Sequence, residues 1–251
     1  MIPEYHSLTV SIPGPEGVLE GNLWYTEGEP GQEGVLLCPP HPLLAGNMEN
    51  NVVQAVAAHC AGLGLPVLLF NYRGVGKSFK PEPDLPLFEY WHRLDQEDSF
   101  AAVISDSRAV MTFCRRYFQR VHLVGYSFGA FIALNLLAEK AEGPISYTAI
   151  APPLAERDFT HISTLSLPGL LISAAEDILL KERNDPALPP TFQNLVLQET
   201  NHFFLGREEE VALAIGSFIT GSGLFLNRVG GGVAPAVLPH HRAYGSVHGG
   251  S

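Results

Sequence analysis

Residues 121–137 read VHLVGYSFGAFIALNLL. The first five are apolar-rich and too few for a helix, so they read as a strand. From Phe128 to Ala141 the pattern is helical. Between the two lies Gly125-Tyr126-Ser127-Phe128-Gly129, a G-x-S-x-G sequence on the strand-to-helix turn that this pattern requires. A pattern with three fixed positions recurs by chance; the flanking strand and helix give this one its weight. Such a turn lifts the Ser127 hydroxyl above a sheet. Gly125 and Gly129 supply room where a side chain would collide. The helix N-terminus beneath favours developing negative charge. Ser127 is the candidate nucleophile.

The same rhythm extends in both directions. Short apolar runs stand at 35–38, 66–71, 121–125, 146–151, 169–173 and 194–198. They lack alternation, as expected of strands buried on both faces. Helical patterns fall near 49–62, 98–118, 128–141 and 207–219. Alternating strands and helices predict an α/β fold, a mostly parallel sheet with helices on both faces. Residues 7–25 alternate and break at Pro13-Gly14-Pro15, which predicts an antiparallel hairpin at the sheet's edge. Residues 79–97 carry Pro81, Pro83 and Pro86 and read as a loop or small cap. One domain over 1–220 is expected, followed by a Gly-rich, flexible tail over 221–251.

A serine nucleophile needs a base, and the base needs an orienting acid. Chain order on this architecture is Ser, then Asp or Glu, then His. His202, in ETNHFFLG, follows the last strand, in a loop at a strand's C-terminal end where sites in open parallel sheets form. His161, in DFTHIS, reads as cap or surface. Glu176 and Asp177 both follow the strand at 169–173, and either can serve as the acid. The oxyanion of acyl transfer needs two donors. One is the backbone N–H of Phe128, directly after the nucleophile. The other is expected in CPPHPLLAGNMEN, residues 38–50. Pro39, Pro40 and Pro42 have no N–H, which leaves Leu43 first and His41 second.

Composition narrows the partners. Fifteen basic against 26 acidic residues give a net charge of −11, which argues against a nucleic-acid backbone binder and against an anionic membrane surface. Three cysteines, Cys38, Cys60 and Cys114, show no metal spacing and read as small buried residues. His240, His241 and His248 match no metal motif either. Gly76-Lys77-Ser78 imitates the end of a phosphate loop. However, Asn71 stands where the pattern needs glycine, and prolines forbid the helix that should follow. No apolar stretch suffices to cross a bilayer and the N-terminus is unlike a signal peptide, so a cytoplasmic location is expected.

Together the segments LLCPPHPLLAGNMENNVV, LLFNYRGVGKS, LVGYSFGA, LPGLLISAAED and NHFFLG resemble the α/β-hydrolase superfamily. Within it they are similar to small bacterial serine hydrolases with a C-P-P-H-P-L loop. The resemblance spans roughly 7–219. It implies that the acid follows a pattern P-x-L-x-I-x-G-x-x-D. With Pro168 on its proline, Ala174 replaces the glycine and Asp177 becomes the acid in preference to Glu176. His41-Pro42 falls where relatives have His-Gly, and Leu43 then matches their oxyanion donor. The implied chemistry is hydrolysis of a small-molecule carboxylic ester, with no metal or organic cofactor. A thioesterase, an amidase, a perhydrolase and a non-catalytic ligand-binding homologue are the alternatives on the same residues. Tyr126, Phe128, Tyr90 and Trp91 are candidates for an acyl pocket. The short segment 152–167 leaves no room for a large lid.

Overall fold

Strands that are apolar on both faces must be covered on both faces, and that requirement sets the architecture. The computed structural model describes residues 5–27, 31–178 and 187–222. Eight strands form one sheet: β1 (Tyr5–Pro13), β2 (Val18–Thr26), β3 (Glu33–Cys38), β4 (Val67–Phe70), β5 (Arg120–Tyr126), β6 (Pro144–Ile150), β7 (Gly169–Ala174) and β8 (Phe192–Leu197). Their order is β1-β2-β4-β3-β5-β6-β7-β8. The hairpin β1–β2 is antiparallel, as expected, and β2 runs antiparallel to β4. Every other pairing is parallel.

Among the described residues, five α-helices cover the sheet: α1 (Asn51–Gly62), α2 (Leu87–Glu97), α3 (Ala101–Cys114), α4 (Phe128–Ala138) and α5 (Glu208–Thr220). Along β3, Leu36 and Cys38 join the core beneath α3 and α4, while Val35 and Leu37 join the core beneath α1 and α5. Strand β5 divides likewise, Val121 and Leu123 against Val124 and Tyr126. The three cysteines are buried and free.

Of the loop or small cap expected over 79–97, helix α2 corrects the loop reading for its second half, Leu87–Glu97. The prolines end at Pro86, which occupies the N-cap position, where its missing N–H costs nothing. Beyond it Leu87, Tyr90, Trp91 and Leu94 recur at i, i+3, i+4 and i+7, and the last three are buried. Trp91 donates its indole N–H to the Arg73 carbonyl at 3.3 Å, which ties α2 to the loop after β4. Arg73 is itself buried, with its Nε 2.7 Å from Asp106 Oδ2 on α3. The phosphate-loop imitation is a tight turn: Ser78 Oγ donates to the Asn71 carbonyl at 2.8 Å and accepts from the Glu20 N–H. The tail expected over 221–251 lies outside the described residues beyond Ser222.

Strand β3 has β4 on one side and β5 on the other, so connections leave it in opposite directions. A crevice therefore opens at the carboxyl ends of β3 and β5, the position where open α/β sheets carry their sites. At the other end of the sheet, His122 and Ser146 are register partners on β5 and β6. Ser146 Oγ lies 2.8 Å from His122 Nδ1, and Glu33 Oε2 lies 3.4 Å from His122 Nε2. Burial lowers the His122 pKa below its ordinary 6.5; Glu33 opposes that and Arg120 adds to it. The folded state thus favours the neutral ring, and the stabilisation is lost as pH falls below the unfolded value. His59, lowered by burial, acts in the same direction. The denaturant midpoint is expected to fall between about pH 7.5 and pH 5.5, with a shallower fall in His122→Asn. Equal slopes in the two proteins would remove His122 from this account.

Candidate active site

The turn between β5 and α4 sets the site's geometry. Ser127 has φ 53° and ψ −119°, a conformation that an L-residue holds only under constraint. The constraint is visible on both sides. The Ser127 N–H donates to the Ile150 carbonyl at 2.8 Å, and the Ala130 N–H donates to the Ser127 carbonyl at 2.9 Å. A Cβ on Gly125 would stand 2.3 Å from the Gly129 carbonyl oxygen, and one on Gly129 would stand 2.1 Å from that of Cys38. Both obstacles are backbone. Both positions therefore require glycine for close approach.

Two further loops meet this turn. After β7, Asp177 is 5% exposed while Glu176 points to solvent. After β8, His202 is 3% exposed. His202 Nδ1 lies 2.7 Å from Asp177 Oδ2, and His202 Nε2 lies 2.9 Å from Ser127 Oγ. The two loops are joined directly by the Glu176 N–H, which donates to the Thr200 carbonyl at 3.0 Å. The carboxylate, imidazole and hydroxyl thus stand in one hydrogen-bonded line, and Glu176 is outside it. A ring so held can take a proton from the hydroxyl at Nε2 while Asp177 fixes the Nδ1–H tautomer.

A cavity of about 340 Å³ adjoins Ser127 and is lined by His41, Leu43, Phe128 and Arg157, among others. Phe128 opens α4, so its N–H has no acceptor within the helix and faces the helix's positive end. Leu43 lies in the short turn Pro42–Leu44, where its N–H donates to His41 Nδ1 at 3.2 Å. Both expected oxyanion donors therefore belong to residues lining the cavity, and one has an acceptor already. The loop is braced from below: Tyr72 donates its hydroxyl to the Pro39 carbonyl at 3.1 Å, and Asn71 Oδ1 accepts from the Met48 N–H at 2.9 Å. The Asn71 that spoils the phosphate pattern is a brace for this loop.

Of the aromatic candidates, Phe128 lines the cavity. Tyr90 and Trp91 are buried in the core under α2, and Tyr126 is buried on the opposite face of the sheet. The Tyr126 hydroxyl donates to the His202 carbonyl at 2.9 Å, and its ring stacks on the imidazole at 5.9 Å. Burial, with Asp177 and Glu208 nearby, raises its pKa, so it remains a donor. His161 is exposed on the turn Thr160–Thr164 and does not line the Ser127 cavity.

Sequence reasoning missed Asp95 and Arg157 on the cavity wall. Arg157 Nη2 lies 3.1 Å from Asp95 Oδ1, and its guanidinium also pairs with Asp98 and covers the Phe100 ring. The helical spacing of α2, read from Leu87 onward, carries Asp95 one residue past Leu94 and was the available signal. Among the described residues, no group of three or more His, Cys, Asp or Glu stands close enough to hold a metal ion. No helix among them is long and apolar enough to cross a membrane.

The model of the alpha/beta hydrolase family matches residues 35–243. The chain belongs to the alpha/beta hydrolase family. An uncharacterized Rickettsia prowazekii protein is 26% identical over 221 residues, covering 82% of this chain and 86% of the relative. Among solved structures, an alpha-beta serine hydrolase homologue from Coxiella burnetii is 25% identical with a TM-score of 0.66. It covers 83% of this chain and 95% of its own. A serine hydrolase without lid from Xanthomonas campestris shares the fold at 24% identity and a TM-score of 0.68, over 86% of this chain and 95% of its own.

In this family member the Tyr126 bond is the brace most accessible to test. Tyr126→Phe leaves the buried His202 carbonyl without its donor and is expected to cost about 1–3 kcal/mol. Chemical denaturation reads that loss as a lower midpoint at unchanged m-value, and an unchanged midpoint would contradict it.

Proposed function

We propose that the protein is a serine hydrolase that cleaves carboxylic esters through an acyl-enzyme on Ser127. The observation that carries the reading is the unbroken line Asp177–His202–Ser127, at 2.7 Å and 2.9 Å, beside a cavity. In this reading the Ser127 Oγ–H proton passes to His202 Nε2 as Oγ attacks the ester carbonyl. The carbonyl oxygen becomes an oxyanion, held by the Phe128 and Leu43 N–H groups. As it collapses, the bond to the alcohol oxygen breaks and His202 returns the proton to the departing alcohol. Water then repeats the sequence: His202 takes its proton, its oxygen attacks the acyl carbonyl, and Ser127 leaves with the proton restored. Asp177 fixes the ring throughout. These steps need no metal or organic cofactor.

Charge supports an ester over a polyanionic thioester. Asp95 and Glu156 line the cavity, Arg157 is already paired with Asp95 and Asp98, and the chain carries −11. That field repels anionic substrates and fits a small neutral ester as the partner, rather than nucleic acid or an anionic membrane. Three buried, free cysteines suit the reducing cytoplasm as the place of work.

A fluorophosphonate probe and a panel of short p-nitrophenyl esters test the reading together. The wild type is expected to label and to turn over the shorter esters. Ser127→Ala and His202→Ala should each lower kcat by on the order of 10⁶, and Asp177→Asn by about 10⁴. A folded wild type that neither labels nor hydrolyses, or a Ser127→Ala variant as active as wild type, overturns it.

A further inference from the structure

The mechanism above leaves one buried imidazole at the cavity unused. His41 precedes the turn Pro42–Leu44 and is 8% exposed. Its ring meets the edges of Trp91 and Phe128 at 5.1 Å and 5.0 Å. Nδ1 accepts from the Leu43 N–H at 3.2 Å, so this nitrogen carries a lone pair and no proton. In a neutral ring the proton is then on Nε2, which faces Asp95 Oδ1 at 3.4 Å without a well-aligned hydrogen bond. Arg157 Nη2 holds that same Asp95 oxygen at 3.1 Å. The charged groups around the ring are therefore Asp95 on α2 and Arg157 on the loop after β6, with Glu156 also on the cavity wall. Burial is the largest influence and lowers the ring's pKa, disfavouring the charged form; Asp95 opposes it and Arg157 adds to it.

A neutral imidazole nitrogen is a weaker acceptor than an anionic oxygen. The Leu43 amide is thus oriented and held by a partner that a developing oxyanion outcompetes. We propose that His41 is a positioning residue: its Nδ1 holds the Leu43 N–H at the cavity until the oxyanion takes that hydrogen bond over, and Asp95 fixes the tautomer that allows it. The proposal rests on the acyl-transfer reading of Ser127. It makes the wall His41–Asp95–Arg157 a support for the second oxyanion donor, reached from α2 and from the loop after β6.

The test combines two measurements on the full chain. Long-range proton–nitrogen NMR of ¹⁵N-labelled protein reads the His41 tautomer directly. The expected form has a bare Nδ1 and a protonated Nε2, and Asp95→Asn should mix the tautomers. On phosphorylation of Ser127 by diethyl p-nitrophenyl phosphate, the Leu43 amide signal should shift as its acceptor changes. In ester kinetics, His41→Ala should lower kcat by about 10-fold with KM within about 2-fold, because only orientation in the transition state is lost. Asn at this position can offer Oδ1 to the N–H two residues on, so His41→Asn should recover most of that loss. Protonation of Nδ1 in the resting wild type overturns the proposal. So does a His41→Asn variant no better than a folded His41→Ala, or a loss that falls on KM. The tautomer measurement judges His41 even where a variant fails to fold. Full activity in Ser127→Ala would sink the hydrolase reading instead, so the two failures are distinguishable.

Discussion

The left-handed backbone of Ser127 is the constraint on which the rest of this molecule depends. A non-glycine residue in such a conformation costs on the order of 1–3 kcal/mol, and the surroundings must enforce it. Here they do so through the carbonyl of Ile150 on β6, the first turn of α4 and two glycines packed against backbone. Each of these belongs to a different part of the fold. The parallel pairing of β5 with β6, the close descent of α4 onto the sheet and the approach of the β3 loop to Gly129 are all required for one hydroxyl to stand clear. Fold and site are in this sense a single arrangement.

From that point outward the site is assembled by loops that lean on one another. Asp177 and His202 reach Ser127 from separate strands, yet a backbone hydrogen bond between Glu176 and Thr200 joins their loops before any side chain is considered. Tyr126, one residue before the nucleophile, holds His202 from beneath. Tyr126, the last residue of β5, and Ser127, on the turn that follows, thus serve related ends, one hydroxyl at the cavity and one bonded to the imidazole's backbone.

Much of this was legible in the sequence because the signals were local. The six strand runs and four of the helices follow from short apolar stretches and their period. Ser127 and His202 follow from a turn motif and a chain order. Asp177 is separated from Glu176 by the family pattern; in the structure Asp177 is buried beside the imidazole and Glu176 is exposed. Helix α2 was missed because three prolines dominate the reading of 79–97, although they all precede its first turn. Asp95 was lost with it. Tyr126 was named as a pocket candidate because an aromatic beside a nucleophile invites one, while it joins the core on the other face of the sheet. The bond between His41 and the Leu43 amide could not be read at all: elimination of the prolines identified a donor, but only coordinates reveal that a neighbour already accepts from it.

The hydrogen-bonded series Ser146–His122–Glu33, at the amino ends of the strands, offers an internal comparison. It repeats the order hydroxyl, imidazole, carboxylate within the same sheet. Yet Ser146 sits within β6, beside a register shift in its pairing with β5, meets Nδ1 in place of Nε2, and lines neither of the molecule's described cavities. Connectivity alone is therefore a poor marker of reactivity. One polypeptide carries both a chain of groups with a place for an electrophile and a chain without one, and the difference is a cavity beside a single hydroxyl.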